Sequence, residues 1–191
     1  MKYQKDRRQI FILKIQQSKK QLLLFYMAGF FAGILYANFT VKDYVAVTGI
    51  FNEYFLNEYM QMKIIPADYI WYLFRIRAIP FLALGICALT RLKKLAVIAF
   101  LTWTGFLGGI VSVTGLLRMG VKGVVLCVAG MMPHFLFYIP VYVVILWYLY
   151  TYPSIRWNMT KTIFVLLAFA VGMIMEGYVN PVFMKIVIKT L

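Results

Sequence analysis

Four ionisable side chains lie within apolar runs of this sequence: Arg75, Arg77, His134 and Glu176. A charged group in hydrocarbon is costly unless it is paired, so each is a functional hypothesis by default. Two chemistries are open to the set. In the leading one, Glu176 pairs with an arginine or with His134 and fixes how the helices register against each other; in the other, the same groups bind a proton or a substrate. Catalytic sets are missing from the inventory. Ser112 is the only serine in an apolar crossing, no aspartate pair lies in one, and there is no His-Glu-x-x-His. Cys87 and Cys127 have neither metal nor redox spacing and read as small apolar side chains. A Cys127–His134 nucleophile pair lacks a third group to orient the imidazole, and Pro133 intervenes. We therefore expect no enzyme activity, no cofactor and no metal.

The elements that position these residues follow from composition. Of 191 residues, 63% are hydrophobic and 14% charged, against roughly 45–50% and 25% in soluble domains. Mean hydropathy is +0.82. This is the composition of a polytopic membrane protein in a lipid bilayer, an all-α bundle forming a single membrane domain. The 20 Lys and Arg against 6 Asp and Glu would suggest nucleic acid in a soluble chain. Here they sit in short connections between apolar runs, which is how membrane orientation is set, and nucleic-acid binding is not expected.

Five crossings are expected. Basic residues of the first 20 positions, Lys2 to Lys20, place the amino end in the cytoplasm, and the absence of a small-residue cleavage site near Leu35 to Phe39 reads as an uncleaved anchor. Ile10, Phe11, Leu13 and Ile15 allow part of this end to lie along the inner surface. The first crossing, about Leu22 to Phe39, carries Gly29-x-x-x-Gly33, a spacing that permits close helix approach without naming the partner helix. Val41 to Asp68 is the main extramembrane segment, with Ile50, Phe51, Tyr54, Phe55, Tyr59 and Met60 at helical spacing; it is either a solvated connector or a docking surface. The second crossing, about Ala67 to Thr90, places Arg75 and Arg77 in its outer third, where they either snorkel to the interface or pair within the bundle. The third, Leu95 to Leu117, has small-residue spacing at Gly105, Gly108 and Gly109.

The fourth segment, Gly120 to Tyr152, is longer than one straight crossing needs and contains Pro133, His134 and Pro140. Either Pro133 starts a new helix after a short, re-entrant half-helix, or one long helix kinks at Pro140. The fifth crossing, about Ile163 to Val179, carries Glu176 and is expected to stop at Pro181, leaving a short amphipathic tail and an extracytoplasmic carboxyl end.

Two runs carry a resemblance. Met132-Pro133-His134-Phe135-Leu136-Phe137-Tyr138-Ile139-Pro140, and Met175-Glu176-Gly177-Tyr178-Val179-Asn180-Pro181, resemble the two signatures of the stage II sporulation protein M family, in the same order. Chain size, basic amino end, five crossings and a glycine-rich third crossing agree with it. The resemblance implies a non-catalytic scaffold in the mother-cell septal membrane during engulfment. Its implied partners are the peptidoglycan-cutting stage II sporulation proteins P and D, and a homo-oligomer is also possible. Pro133, His134, Pro140, Glu176 and Pro181 are the positions it carries over, as helix breakers, helix starters and a buried pair. Where relatives have a second acid after the Pro-His pair, this chain has Phe137, Tyr138 and Ile139. The alternative is a small transporter or lipid-handling protein with a site around His134 and Glu176.

Overall fold

The computed structural model describes the backbone of residues 2–41, 53–63 and 65–191, with side chains from residue 16 onward apart from 40, 41, 53, 66 and 67. Ile50 and Phe51, and the side chains of Ile10 to Ile15, lie outside that description. The described chain is all-α: α1 (Lys2–Tyr36), running into a π turn (Ala37–Val41); α2 (Glu53–Gln61); α3 (Pro66–Leu89); α4 (Lys93–Met119); α5 (Val121–Met131); α6 (Phe135–Thr151); α7 (Met159–Ile174); a second π turn (Met175–Val179); and α8 (Asn180–Thr190). Four runs are long and apolar enough to cross a bilayer: Gln16–Phe39, Asp68–Leu89, Lys93–Met119 and Met159–Thr190. The pair α5 and α6, bent by 67°, is the fifth.

Lipid is as apolar as leucine, so helices in a membrane are held by close packing rather than by escape from water. The glycines of the first and third crossings serve that packing, and they serve each other. A Cβ on Gly29 or Gly33 would run into the carbonyl of Thr102 or Phe106, and one on Gly105 or Gly109 into that of Tyr26 or Phe30. Residue numbers rise together along both helices, so α1 and α4 run parallel with their backbones in contact. Gly115 and Gly123 repeat the device between α4 and α5. The apolar core lies among α3, α4, α6 and α7, where Val97, Tyr138, Val141, Leu149, Val165 and Phe169 are buried together.

The fourth segment breaks at Met132 to His134, so Pro133 ends one helix and prepares the next, while Pro140 is carried inside α6. Helix α5 starts beside the end of α4, Gly123 against Gly115. Helix α6 finishes beside the start of α4, where Tyr150 and Lys94 line one cavity. Since α4 has 27 residues, about 40 Å at the usual rise, the segment is a broken crossing and does not re-enter.

Two expectations are corrected. Arg75 and Arg77 are the tenth and twelfth residues of the 24-residue α3 (Pro66–Leu89), in its middle third and not its outer third. Pro181 does not stop the fifth crossing, which continues to Thr190. The Asn180 N–H donates five residues back to the Met175 carbonyl. That wider turn accommodates the proline ring, and π adjustments of this kind let membrane helices carry proline.

Candidate functional site

The two interrupted helices meet at their interruptions. The break before α6 supplies His134, and the π turn after α7 supplies Glu176; both are buried, at 2% and 4% exposure. Arg77 reaches them from the middle of α3. Its guanidinium takes Glu176 in a forked pair, Nε donating to Oε2 at 3.0 Å and Nη2 donating to Oε1. Tyr138, one helical turn beyond His134, donates its hydroxyl to Glu176 Oε2 at 2.9 Å. The Arg77 guanidinium also stands over the Tyr138 ring, 5.4 Å from its centre. His134 Nε2 is 3.7 Å from Glu176 Oε1, close enough to feel the charge and too far for a hydrogen bond. His134 Nδ1 is buried with no hydrogen-bond partner among the described residues.

Two glycines make this convergence possible. A Cβ on Gly172 would lie 2.7 Å from Tyr138 Cε1, and one on Gly177 would lie 2.7 Å from Ile70 Cγ1. Helices α6 and α3 therefore close on Glu176 from either side. The arrangement balances one carboxylate against one guanidinium, with a phenol making the third hydrogen bond to the carboxylate. Bidentate arginine–carboxylate pairs are among the strong, geometrically specific interactions.

The sequence-derived residues divide clearly. Arg77, His134 and Glu176 come together at the site. Arg75 does not; it is exposed, its guanidinium 5.4 Å from the centre of the Trp71 ring. Pro133 and Pro181 flank the site as parts of the helix breaks, with Pro181 buried, and Pro140 lies within α6. Asn180 is partly buried, its Oδ1 without a partner among the described residues. Gly29, Gly33, Gly105 and Gly109 belong to the α1–α4 contact, away from the cluster. Sequence reasoning missed Tyr138, Gly172 and Gly177. The available signal was spacing: Tyr138 stands four residues after His134, and the two glycines stand four before and one after Glu176. Among the described residues no group of three or more His, Cys, Asp or Glu is placed to hold a metal ion.

Two substitutions separate these roles. Tyr138→Phe lowers the stability of the solubilised bundle by about 1.5 kcal/mol, the scale of a hydrogen bond to a charged acceptor. An unchanged denaturation midpoint would show that the hydroxyl contributes nothing. Arg75→Gln, on an exposed side chain, changes stability by no more than about 0.5 kcal/mol, whereas Arg77→Gln leaves Glu176 buried and unpaired. Equal midpoints for the two arginine variants would contradict the assignment.

Compared with protein families, curated proteins and solved structures, the chain matches none.

Proposed function

We propose that this chain is a non-catalytic, multi-pass membrane scaffold whose Arg77–Glu176–Tyr138 cluster is a clasp holding a broken-helix bundle in one arrangement. The observation that carries the reading is that both Glu176 oxygens are engaged by side chains of the same molecule. A carboxylate committed in this way suits fixing α3, α6 and the π turn in register better than exchanging a ligand. The surface offered to partners is the end bearing α2, on the extracytoplasmic side. In this orientation the amino end is cytoplasmic and the carboxyl end is outside, which agrees with the basic residues of the first 20 positions and with Arg91, Lys93 and Lys94.

The process is engulfment during sporulation, in the mother-cell septal membrane, with stage II sporulation proteins P and D as partners. This part rests on the resemblance in two short runs. It is supported by their meeting in space: one run supplies His134 and Tyr138, the other Glu176. The test is mild-detergent purification of a tagged copy from its own cells, before and during sporulation, with co-purifying proteins identified by mass spectrometry. Peptidoglycan hydrolases recovered only from the sporulating sample are the expected result; recovery of transport ATPases, or of no protein, would overturn it. A second tag on the same chain would report self-association in the same experiment.

One observation favours the transporter reading, namely the unpartnered Nδ1 of buried His134 beside a helix broken at membrane depth. On that reading His134→Ala folds normally and abolishes uptake or release of a solute by reconstituted vesicles; on the scaffold reading no such transport exists to abolish.

A further inference from the structure

Beneath α2 lies an apolar cavity of about 380 Å³, within the range of roughly 300–1,000 Å³ typical of small-ligand sites. Tyr59 of α2, Val111 of α4, Cys127 and Gly130 of α5, and Asn180 and Met184 of α8 are among its walls. It shares no wall with Arg77, His134, Tyr138 or Glu176, and no acidic side chain lines it. Its polar side chains are Tyr59, Cys127 and Asn180, and Asn180 Oδ1 is buried with no partner among the described residues.

Three cations, Arg118, Lys122 and Lys185, lie at the same end of the bundle as Glu58 of α2. Val111, Gly115 and Arg118 follow one another at four and three residues, so they share a face of α4. Arg118 therefore stands two turns beyond the cavity wall, in the last turn of the helix, and its Nη2 is buried with no partner among the described residues. Lys122, in the first turn of α5, donates to the terminal main-chain oxygen of Leu191 at 2.5 Å, one turn from Ile188 of the cavity wall. Lys185, next to the wall residue Met184, donates to the Met62 carbonyl at 2.9 Å and ties α8 to the end of α2. Among the described residues, no acid forms an ion pair with any of these three cations.

An apolar chamber with cations beside it, of which Arg118 Nη2 has no partner among the described residues, matches a ligand that is long and apolar at one end and anionic at the other. At the edge of a bilayer that ligand is a phospholipid, whose phosphate supplies the negative charge that Arg118 and Lys122 attract. We propose that this cavity holds one acyl chain of an anionic phospholipid, with its phosphate on Arg118 and Lys122. Bound there, the lipid joins α2 to α4, α5 and α8 and so fixes the surface α2 presents. The proposal stands independently of the scaffold reading, since it concerns residues outside the clasp.

The test uses the full chain, delipidated in detergent and titrated separately with palmitoyl-oleoyl phosphatidylglycerol and palmitoyl-oleoyl phosphatidylcholine, with bound lipid counted by native mass spectrometry. The expected result is one phosphatidylglycerol per chain, bound at least tenfold more tightly than phosphatidylcholine. Arg118→Gln removes that preference while leaving a monodisperse protein. Gly130→Leu extends a side chain from the chamber wall and removes binding of both lipids; its Cβ meets only Met184 Sδ, at 3.9 Å, an ordinary contact. Equal affinity for the two lipids in the wild type, no bound lipid, or undiminished binding by Gly130→Leu would each overturn the proposal. Equal affinity would also identify the cavity as a general hydrocarbon recess.

Discussion

Glu176→Ala lowers the stability of the solubilised bundle by about 3 kcal/mol or more, the scale for removing one partner of a buried ion pair. The cost is not the value of the pair itself. It arises because Arg77, with only 31% of its side chain exposed, keeps its charge and loses both acceptors, and Tyr138 keeps a hydroxyl with nowhere to donate. Removing both charges together should therefore be cheaper than removing either. The variant Arg77→Met/Glu176→Leu is expected to recover most of the loss, since well-packed apolar replacements of buried pairs are often neutral or better. Unfolding midpoints for the two single variants and the double variant, taken in the same detergent, give the coupling between the positions directly. Additive losses would mean that the forked pair carries no interaction of its own.

The second large effect is expected at the glycine contact. Gly29→Leu or Gly105→Leu separates α1 from α4, because each added side chain begins inside a backbone carbonyl, where no rotamer can relieve the clash. Overpacking costs typically 1–3 kcal/mol, occasionally more, and a backbone-to-backbone collision belongs at the upper end. Gly85 is the internal control: a Cβ there meets nothing within 4 Å, so Gly85→Ala should be tolerated. The readout is protease resistance of the solubilised protein together with a cysteine cross-link engineered between α1 and α4. Cross-linking of Gly29→Leu at the wild-type rate would mean that the helices are held together by something other than this contact.

The crossings were readable because hydropathy reports them directly. Runs of apolar residues separated by Arg91, Lys93 and Lys94, by Arg118 and Lys122, and by Arg156 and Lys161 leave few alternatives. The pairing of α1 with α4 was not readable, although both glycine stripes were visible. A small-residue stripe states that a backbone approaches, and only the three-dimensional path says which one. The clasp was half readable. Charge in hydrocarbon flags Arg77 and Glu176 on energetic grounds alone, but the choice of Arg77 over Arg75 depends on which face of α3 turns inward. Two residues are enough to send one arginine to the carboxylate and leave the other against Trp71. Pro181 misled for a local reason. Proline normally ends a helix because it lacks an N–H and crowds the preceding turn, and the wide turn reaching from Asn180 to Met175 relieves the crowding.

The cluster acts either by holding the bundle or by handling a ligand, and one variant separates the two. The decisive variant carries Arg77→Met, Tyr138→Phe and Glu176→Leu together, expressed in its own cells at the wild-type membrane level. Its polar chemistry is gone, while the packing at the junction of the two broken helices is approximately kept. Recovery of the same partner proteins as the wild type from sporulating cells, together with normal engulfment, is the result predicted for a clasp. A correctly folded, normally abundant triple variant that has lost both would contradict the scaffold reading and identify the cluster as a working site.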